Sequence, residues 1–371
     1  MIKNRVLFSD LKKINSKFKK KFLVSLSSAI DNSNFIKGEQ TKILERKINK
    51  IFDCKYSLTV NSGTDALIVG IKSLNLKPGS EIITTSNTWI SSAYAIELNN
   101  CKPIFVDVNS YDFQIDTKLI EKEINKNTKA ILITHLYGMP CDMKEIVRIV
   151  KKYNLFLIED IAQAHLAKYK NKIVGNFGDI ACLSFYPTKN LGALGDGGAI
   201  LTNSKKFYLT SKSYANYGSL DFRNPDHKVI GINSRLDEIQ AYFLVHKINN
   251  LKKDNNKRLK IAKIYQKKCD QLDIKRIQET AYKKSAYHLF PIIVKKRNEM
   301  KKFLKKNKID TKIHYEIPIH LQSAFFSKTR RKYQLPVTEY LSKNMLSIPF
   351  YPDIEKKKIN YIFKKIKEFI S

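Results

Sequence analysis

The chain has few cysteines, a single tryptophan and no long apolar run among its 371 residues. No uninterrupted apolar stretch approaches the roughly 18 residues of a membrane-spanning helix, so we expect none. The five cysteines are scattered, odd in number and without a CxxC pair, which argues against a disulfide framework and a zinc site. The N-terminal stretch MIKNRVLFSDLKKINSKFKKKF lacks the apolar core and cleavage site of a secretory signal. We therefore expect a cytoplasmic protein with free thiols and no metal centre.

Acidic residues are also scarce, since 34 Asp and Glu stand against 68 Lys and Arg and give a formal charge of +34. Such a charge attracts anionic ligands and is shared by nucleic-acid-binding proteins. The sequence contains no RNP-type run, no zinc-finger spacing and no basic block interleaved with stacking aromatics. The lysines are spread along the whole chain, so we predict no nucleic-acid partner. A basic nucleic-acid binder is kept as an alternative.

Short apolar runs alternate with segments of helical periodicity through the first two-thirds of the chain. Strand-like runs lie at 56–60, 81–85, 103–108, 130–138 and 155–160, and helical patterns follow several of them. This alternation predicts an α/β protein whose mostly parallel sheet is covered on both faces. Ligands bind beyond the carboxyl ends of the strands in such sheets, so the residues that follow each run are the first candidates for a site.

A lysine-rich segment with helical periodicity, from about 247 to 270, separates two predicted domains. We predict a large α/β domain over 1–250 and a smaller C-terminal α/β domain over 251–371, in line with roughly 150 residues per domain. Near the C-terminus, apolar residues recur at helical spacing between Ile359 and Ile366. The pattern is typical of a packed amphipathic helix, and a membrane-surface helix shares it.

The stretch NSGTDAL brings Ser62, Gly63 and Thr64 between a strand end and a helix start. Free backbone N–H groups and the helix dipole at such a position suit a phosphate group. Gly63 allows close approach of the backbone, and Thr64 adds a hydroxyl. A plain helix N-cap is the alternative, because Ser and Thr are favoured there in any case.

The stretch LFLIEDIAQAH carries a carboxylate, Asp160, just past an apolar strand-like run. A carboxylate at such a place is costly unless it meets a cationic partner. Gln163, three residues on, can donate a hydrogen bond to a ligand oxygen from the same turn. A helix N-cap or a local salt bridge explains Asp160 equally well.

The stretch SFYPTKNLGALGDGGAI sets Lys189 between a strand-like run and a glycine-rich bend, five residues after the hydroxyl of Ser184. A lysine that is partly desolvated beside other positive groups loses proton affinity and becomes a nucleophilic amine, which forms Schiff bases. The alternative is an ordinary surface lysine in a turn.

A phosphate-binding helix start, a carboxylate and a nucleophilic lysine in one α/β scaffold together predict a pyridoxal 5'-phosphate site. The phosphate is expected at 62–64 and Ser184, while Asp160 pairs with the pyridinium nitrogen. Lys189 is expected to hold the aldehyde. Trp89, the one tryptophan, is placed to stack on the cofactor ring, although a core aromatic is the alternative.

The chain resembles the DegT-type sugar-nucleotide aminotransferases, which are fold-type I PLP-dependent transferases with a large, mostly parallel domain and a smaller C-terminal α/β domain. The resemblance runs in order over roughly residues 30–350. Its segments are NSGTDAL, SNTWISSA, PIFVDV, HLYGMPCDM, IEDIAQAHLAKYKNK, GNFGDIACLSFYPTKNLGALGDGGAI, GINSRLDEIQA and IHYEIPIHLQSAF. Sugar-dehydrating relatives carry histidine in place of the lysine, and this chain keeps Lys189. The resemblance therefore implies amino transfer.

The resemblance also implies roles for single residues. Lys189 corresponds to the Schiff-base lysine and Asp160 to the partner of the pyridine nitrogen. The other implied cofactor contacts are Gln163 near the phenolic oxygen, Trp89 over the ring, and Gly63, Thr64 and Ser184 at the phosphate. Asn233, within GINSRLDEIQ, looks like the residue that reaches the phosphate of a neighbouring subunit, which implies a homodimer with shared active sites.

The implied reaction transfers the amino group of L-glutamate to a nucleotide-linked ketosugar in amino-sugar or surface-polysaccharide biosynthesis. HLYG and IHYEIPIHLQ most resemble the branch that acts on 3-keto-6-deoxyhexoses, and a 4-keto sugar nucleotide is the alternative. A regulatory relative that turns over no amine is a further alternative. Candidate substrate contacts, each of which could instead serve packing, are Tyr186, Tyr217, His314, Tyr315 and His320.

Overall fold

The structure, a computed structural model, describes residues 5–220, 226–326 and 333–371. The strands in these ranges are β1 (Tyr56–Val60), β2 (Glu81–Thr85), β3 (Lys102–Val106), β4 (Thr128–Thr134), β5 (Phe156–Asp160), β6 (Lys168–Tyr169), β7 (Lys172–Ile173), β8 (Ile180–Ser184), β9 (Gly198–Thr202), β10 (Lys283–Lys284), β11 (Phe290–Ile293) and β12 (Met345–Ile348). Short 3₁₀ turns lie at Glu121–Glu123, Leu136–Gly138 and Ile319–Leu321.

Helices connect and cover these strands. They are α1 (Leu11–Ser16), α2 (Lys19–Asp31), α3 (Glu39–Phe52), α4 (Gly63–Ser73), α5 (Ser91–Glu97), α6 (Thr117–Ile120), α7 (Met143–Lys152), α8 (Lys205–Tyr214), α9 (Glu238–Ile248), α10 (Leu251–Gln271), α11 (Arg297–Lys306), α12 (Ser323–Phe326), α13 (Pro336–Asn344) and α14 (Lys356–Ile370).

Seven strands form the central sheet in the order β1-β9-β8-β5-β4-β2-β3. Neighbouring strands from β8 to β3 pair in parallel, whereas β9 runs antiparallel to both β8 and β1. Every residue of β8 and β9 is buried, as expected for strands covered on both faces. The predicted α/β fold with a mostly parallel sheet is confirmed, and the carboxyl ends of β4, β5 and β8 meet at one edge.

The apolar run at 130–138 was expected to be one strand, but β4 ends at Thr134. The side chain of His135 explains the break, because its Nδ1 accepts the Cys141 N–H at 3.0 Å and its Nε2 lies 3.1 Å from Glu159. The chain then turns through 136–138, with Tyr137 at a φ of 63°. The run is apolar because the turn is buried. Local periodicity does not distinguish a buried turn from a buried strand.

The C-terminal part of the chain packs around its own apolar core, built on the antiparallel pair of β11 and β12 and on α10, α11 and α14. Helix α14 buries its apolar face, from Ile359 to Ile366, so the interpretation as a packed amphipathic helix is confirmed. The start of the chain joins this core, since Val6 and Ile14 belong to it and Val6 pairs with Ile309. The division at 250 and 251 stays a prediction.

All five cysteines are free thiols. Within the ranges that the structure describes, no helix is both long and apolar enough to traverse a bilayer.

Candidate functional site

A cavity of about 480 Å³ opens at the sheet edge where β4, β5 and β8 end. This is the position at which parallel α/β sheets bind ligands. Ten of the thirteen residues predicted from the sequence line it. They are Gly63, Thr64, Trp89, Asp160, Gln163, Ser184, Tyr186, Lys189, His314 and Tyr315.

The N-terminus of α4 forms one wall of the cavity. Ser62 is the N-cap, and its hydroxyl accepts a backbone N–H of the first turn at 3.0 Å. A Cβ on Gly63 would lie 2.6 Å from the Cβ of Ser184, so glycine is required to bring the helix against β8. Thr64 and Ser184 then present hydroxyls beside the free N–H groups of the helix, which is the chemistry of an anion site.

Asp160 ends β5 with its carboxylate buried and only 5% of the residue exposed. Its Oδ1 accepts the Ala162 N–H at 3.0 Å, and the Ser92 hydroxyl lies 3.5 Å from Oδ2. Burial raises the pKa of this carboxyl. No helix begins at Asp160, so it is not a helix N-cap. Within the described ranges it forms no ion pair, so a local salt bridge does not explain it either. A cationic ligand group would satisfy it.

The neighbouring carboxylate, Glu159, occupies the opposite face of β5 and is fully satisfied. Its four hydrogen bonds are donated by His135 and by the backbone N–H groups of Gly175, Phe177 and Gly178, at 2.7–3.1 Å. Of the two adjacent acids, Asp160 alone faces the cavity. Glu159 therefore anchors the sheet, and Asp160 keeps capacity for a ligand.

Lys189 lies half-buried in the cavity wall, on the turn between β8 and β9. Burial lowers the pKa of Lys189 to about 8, while the negative charge of Asp160 opposes this shift. The sequence predicted that both desolvation and positive neighbours would lower the pKa of Lys189. Desolvation does so, but positive neighbours are not a cause of the shift. An amine with this pKa is deprotonated often enough near neutral pH to act as a nucleophile or base.

Two buried side chains hold the turn that follows Lys189. Nδ1 of His165 accepts the Leu191 N–H at 3.1 Å, and the ammonium of Lys247 donates to the Gly192 carbonyl at 2.7 Å. Neither side chain lines the cavity, so both act by fixing the backbone that carries the lysine.

Gln163 joins the cavity floor to the C-terminal segment. Its Oε1 accepts the Tyr137 N–H at 2.8 Å, and its Nε2 lies 3.1 Å from the hydroxyl of Tyr315. The Trp89 ring is 5.5 Å from that of Tyr315, centre to centre, and Trp89 is 57% exposed, so it is not a core aromatic. Burial, followed by the charges of Lys312 and Lys189, lowers the pKa of His314 to about 3. These rings form an aromatic wall with neutral hydrogen-bonding groups.

Three predicted residues do not line the cavity. Asn233 is exposed and bridges Asn216. Tyr217 is 44% exposed, outside the cavity. His320 is buried, with Nδ1 2.7 Å from the Ser86 hydroxyl and Nε2 3.4 Å from Glu339. Their roles in binding stay predictions.

Sequence reasoning missed several residues of the cavity wall. His288 lies two residues before β11, and nothing in its local sequence marks it. Lys312 is one of 68 basic residues and cannot be singled out by composition. Both come from the C-terminal part of the chain, which reaches the cavity only through the tertiary fold.

Comparison with known proteins agrees with this geometry. The sequence profile of the DegT/DnrJ/EryC1/StrS aminotransferase family matches residues 16–367. A dTDP-3-amino-3,6-dideoxy-alpha-D-galactopyranose transaminase of Aneurinibacillus thermoaerophilus is 37% identical over 98% of this chain and 99% of its own length. A pleiotropic regulatory protein of Geobacillus stearothermophilus is 36% identical over 97% of each chain. The crystal structure of Streptomyces venezuelae DesV, in complex with a ketimine intermediate, superposes with a TM-score of 0.95 at 31% identity, covering 99% of this chain and 98% of DesV.

The cofactor of this enzyme is pyridoxal 5'-phosphate, and the cavity fits it. The fit has three parts: an anion site that exists because Gly63 has no Cβ, a buried unpaired carboxylate at Asp160, and an amine of lowered pKa at Lys189. Phosphate, pyridinium nitrogen and aldehyde each require one of these groups. The chain belongs to the DegT/DnrJ/EryC1/StrS aminotransferase family.

Proposed function

We propose that this aminotransferase moves the amino group of L-glutamate onto C3 of a nucleotide-linked ketosugar, in the cytoplasm, for amino-sugar or polysaccharide synthesis. The observation that carries the proposal is the presence, in one cavity, of both the Lys189 amine and the buried carboxylate of Asp160. The two groups supply a base near neutral pH and a site for a buried positive charge.

When bound, the cofactor supplies an aldehyde that amines attack and a ring that accepts electrons from the Cα–H bond. Gly63, Thr64 and Ser184 would bind its phosphate, and Asp160 would hold a proton on its ring nitrogen. The amine of Lys189 would act as the general base that takes the proton from Cα of the donor. The same residues would serve in the opposite direction when the ketosugar accepts the amino group, with Lys189 returning a proton to the sugar carbon.

One observation supports a 3-keto sugar as the acceptor, and a second supports a sugar of either kind. The Aneurinibacillus relative is named for a 3-amino-3,6-dideoxy sugar. The cavity also offers hydroxyls and imidazoles that bind sugar hydroxyls, from Tyr186, His314 and Tyr315. Amination at C4 is the competing outcome.

The proposed enzyme is a homodimer in which Asn233 reaches the phosphate in the partner's cavity. Asn233 is exposed and lies outside its own cavity. Exposed apolar residues Phe35 and Ile36 adjoin this region, since Ile36 bridges Asp237. Further exposed apolar side chains are Leu23, Val24, Ile30 and Ile230. A contiguous patch of such side chains would favour a protein partner.

A mixing experiment tests the shared site. In a hybrid of Lys189→Ala and Asn233→Ala subunits, one cavity keeps both an intact lysine and an intact partner asparagine. Activity should therefore return to the mixture although each variant alone is inactive. A mixture as inactive as its components contradicts the shared site.

The reaction is tested on the purified holoenzyme. Borohydride reduction and peptide mapping should place the cofactor on Lys189, and L-glutamate should bleach the cofactor's visible absorbance. A panel of 3-keto and 4-keto sugar nucleotides, with mass detection of the product, then identifies the acceptor. An adduct on another residue contradicts the assignment of Lys189.

The Geobacillus relative, named as a regulatory protein, gives a second candidate function. A regulatory relative would bind the cofactor but release no 2-oxoglutarate. Absence of glutamate-dependent bleaching in a protein that carries the cofactor would favour this candidate over the proposed enzyme.

A further inference from the structure

The cavity contains a cation outside the proposed cofactor contacts. Among the described residues, the basic Lys and Arg side chains that line it are Lys189 and Lys312. Lys312 is exposed, and no carboxylate of the described ranges lies within ion-pair distance of its ammonium. The acids nearest in sequence are already paired, since Asp310 contacts Arg5 at 2.7 Å and Glu316 contacts Arg297 at 3.9 Å. The charge of Lys312 is therefore open to a ligand.

The fold fixes the position of Lys312, although its ammonium forms no ion pair among the described residues. Its N–H donates to the Ser347 carbonyl at 3.1 Å, and the Ser347 N–H returns a bond to its carbonyl at 2.8 Å. The ammonium lies 5.3 Å from the centre of the Phe8 ring, a cation–π contact that limits its motion. A lysine held by the backbone and by an aromatic ring loses less entropy on binding than one on a free loop.

The adjoining wall carries no competing positive charge. His314, two residues on, has its Nδ1 2.9 Å from the Ser347 hydroxyl. Burial and then the charge of Lys312 itself lower the pKa of His314 to about 3, so the imidazole is neutral. On this wall an anion would find one full positive charge beside neutral hydrogen-bonding groups.

Both substrates of the proposed function bring an anion into this cavity. L-Glutamate carries a γ-carboxylate away from its reacting carbon, and a nucleotide-linked sugar carries a diphosphate. They enter in turn, because glutamate donates the amino group and the ketosugar accepts it at the same place in the cavity. One cavity must therefore receive two different anions at different times.

We propose that Lys312 is an anion-binding residue that serves both half-reactions, contacting the distal carboxylate of the amino donor first and the diphosphate of the sugar nucleotide second. This inference rests on the proposed function. Lysine suits such a task because its ammonium is a point charge with three rotatable donors, whereas the planar guanidinium of arginine demands one geometry.

Binding of unreactive anions to the holoenzyme tests the proposal without turnover. Glutarate represents the donor because it lacks the amino group, and UDP represents the diphosphate. In titration calorimetry at low salt, Lys312→Met should lower the affinity for each ligand by roughly fivefold. This factor corresponds to the loss of a partly exposed ion pair of about 1 kcal/mol. Lys312→Arg keeps the charge and should bind both ligands more tightly than Lys312→Met does, and added salt should shrink all these differences.

Lys302→Met is the matched control, because it removes the same charge from an exposed position of α11 that does not line the cavity. Its affinities for glutarate and UDP should equal those of the wild type. This control separates a local contact of Lys312 from the effect of the overall positive charge of the protein. Equal losses in Lys302→Met and Lys312→Met, or no loss in either, overturn the proposal. A loss confined to one ligand overturns the shared role. If the wild type binds both anions through Lys312 but never transfers an amino group, the proposed function fails while the anion site stands.

Discussion

Asn190 follows Lys189 directly in the sequence. Its side-chain oxygen lies 3.2 Å from Nδ1 of His288, a residue of the cavity wall. The orientation of the Asn190 amide is set by its nitrogen, which donates to Asn255 Oδ1 and to the Ala286 carbonyl, both at 2.9 Å. Its oxygen must therefore accept, so Nδ1 of His288 carries the proton. Burial, with the charges of Lys189 and Arg258, lowers the pKa of His288 and keeps the imidazole neutral. Nε2 is left as an acceptor.

Removing this amide should destabilise the protein. Asn190→Ala leaves the Ala286 carbonyl and the His288 Nδ1–H without their partner, and an unsatisfied buried polar group costs about 1–3 kcal/mol. We expect a loss of that size in the free energy of unfolding, measured with denaturant. Asn298→Ala, at an exposed position of α11, should change it by less than about 0.5 kcal/mol. Equal small changes in both variants would show that the network is not structural.

The pKa of Lys189 predicts how the apoenzyme takes up its cofactor. Only the neutral amine attacks the cofactor aldehyde, and burial lowers the pKa of Lys189 to about 8. The rate of holoenzyme formation should therefore rise with pH through about 8, and not through the range of an ordinary lysine. The Asp160→Asn variant should move the midpoint to lower pH, because the carboxylate raises the pKa of this amine. Stopped-flow absorbance measures both profiles, and an upward move of the midpoint contradicts the charge assignment.

Asp160 predicts opposite effects on the apoenzyme and on the reaction. Burial raises the pKa of this carboxyl in the folded state, so the folded protein binds more protons than the unfolded one and loses stability as pH rises through the folded pKa. Asp160→Asn should remove that dependence and leave the apoenzyme as stable or more stable at neutral pH. Turnover should fall steeply, because a buried cation without its partner costs about 3–5 kcal/mol. Thermal melts and glutamate-dependent turnover separate the two effects.

The positions of Asp160 and Lys189 could be predicted from local sequence, because both follow apolar strands and the carboxyl ends of parallel strands meet at one edge. The helix start at Gly63 carries an equally local signal. These predictions rest on short segments whose strand or helix character the fold did not alter. The strand at 130–138 was different, since the hydrogen bonds of His135 to Cys141 and Glu159 end it early.

The rest of the site depends on contacts between distant parts of the chain. Asn190 and His288 are 98 positions apart, and no periodicity relates them. Lys312 is a candidate anion-binding residue because its ammonium lines the cavity and forms no ion pair within the described ranges. Neither property can be recognised in the sequence among 68 basic residues. The C-terminal segment that supplies His288, Lys312 and His314 has no local mark of a binding wall.

The contact of Gly63 with Ser184 gives a prediction that separates packing from phosphate binding. Gly63→Ala places a Cβ 2.6 Å from the Cβ of Ser184, so α4 must move away from β8, at a cost of about 1–3 kcal/mol for overpacking. We expect lower stability and weaker cofactor retention in dialysis against buffer. The double variant Gly63→Ala/Ser184→Gly relieves the clash and should recover most of the stability. It should not recover cofactor retention, because the Ser184 hydroxyl is gone. Recovery of both properties together would mean that Ser184 serves packing alone and that the phosphate is held elsewhere.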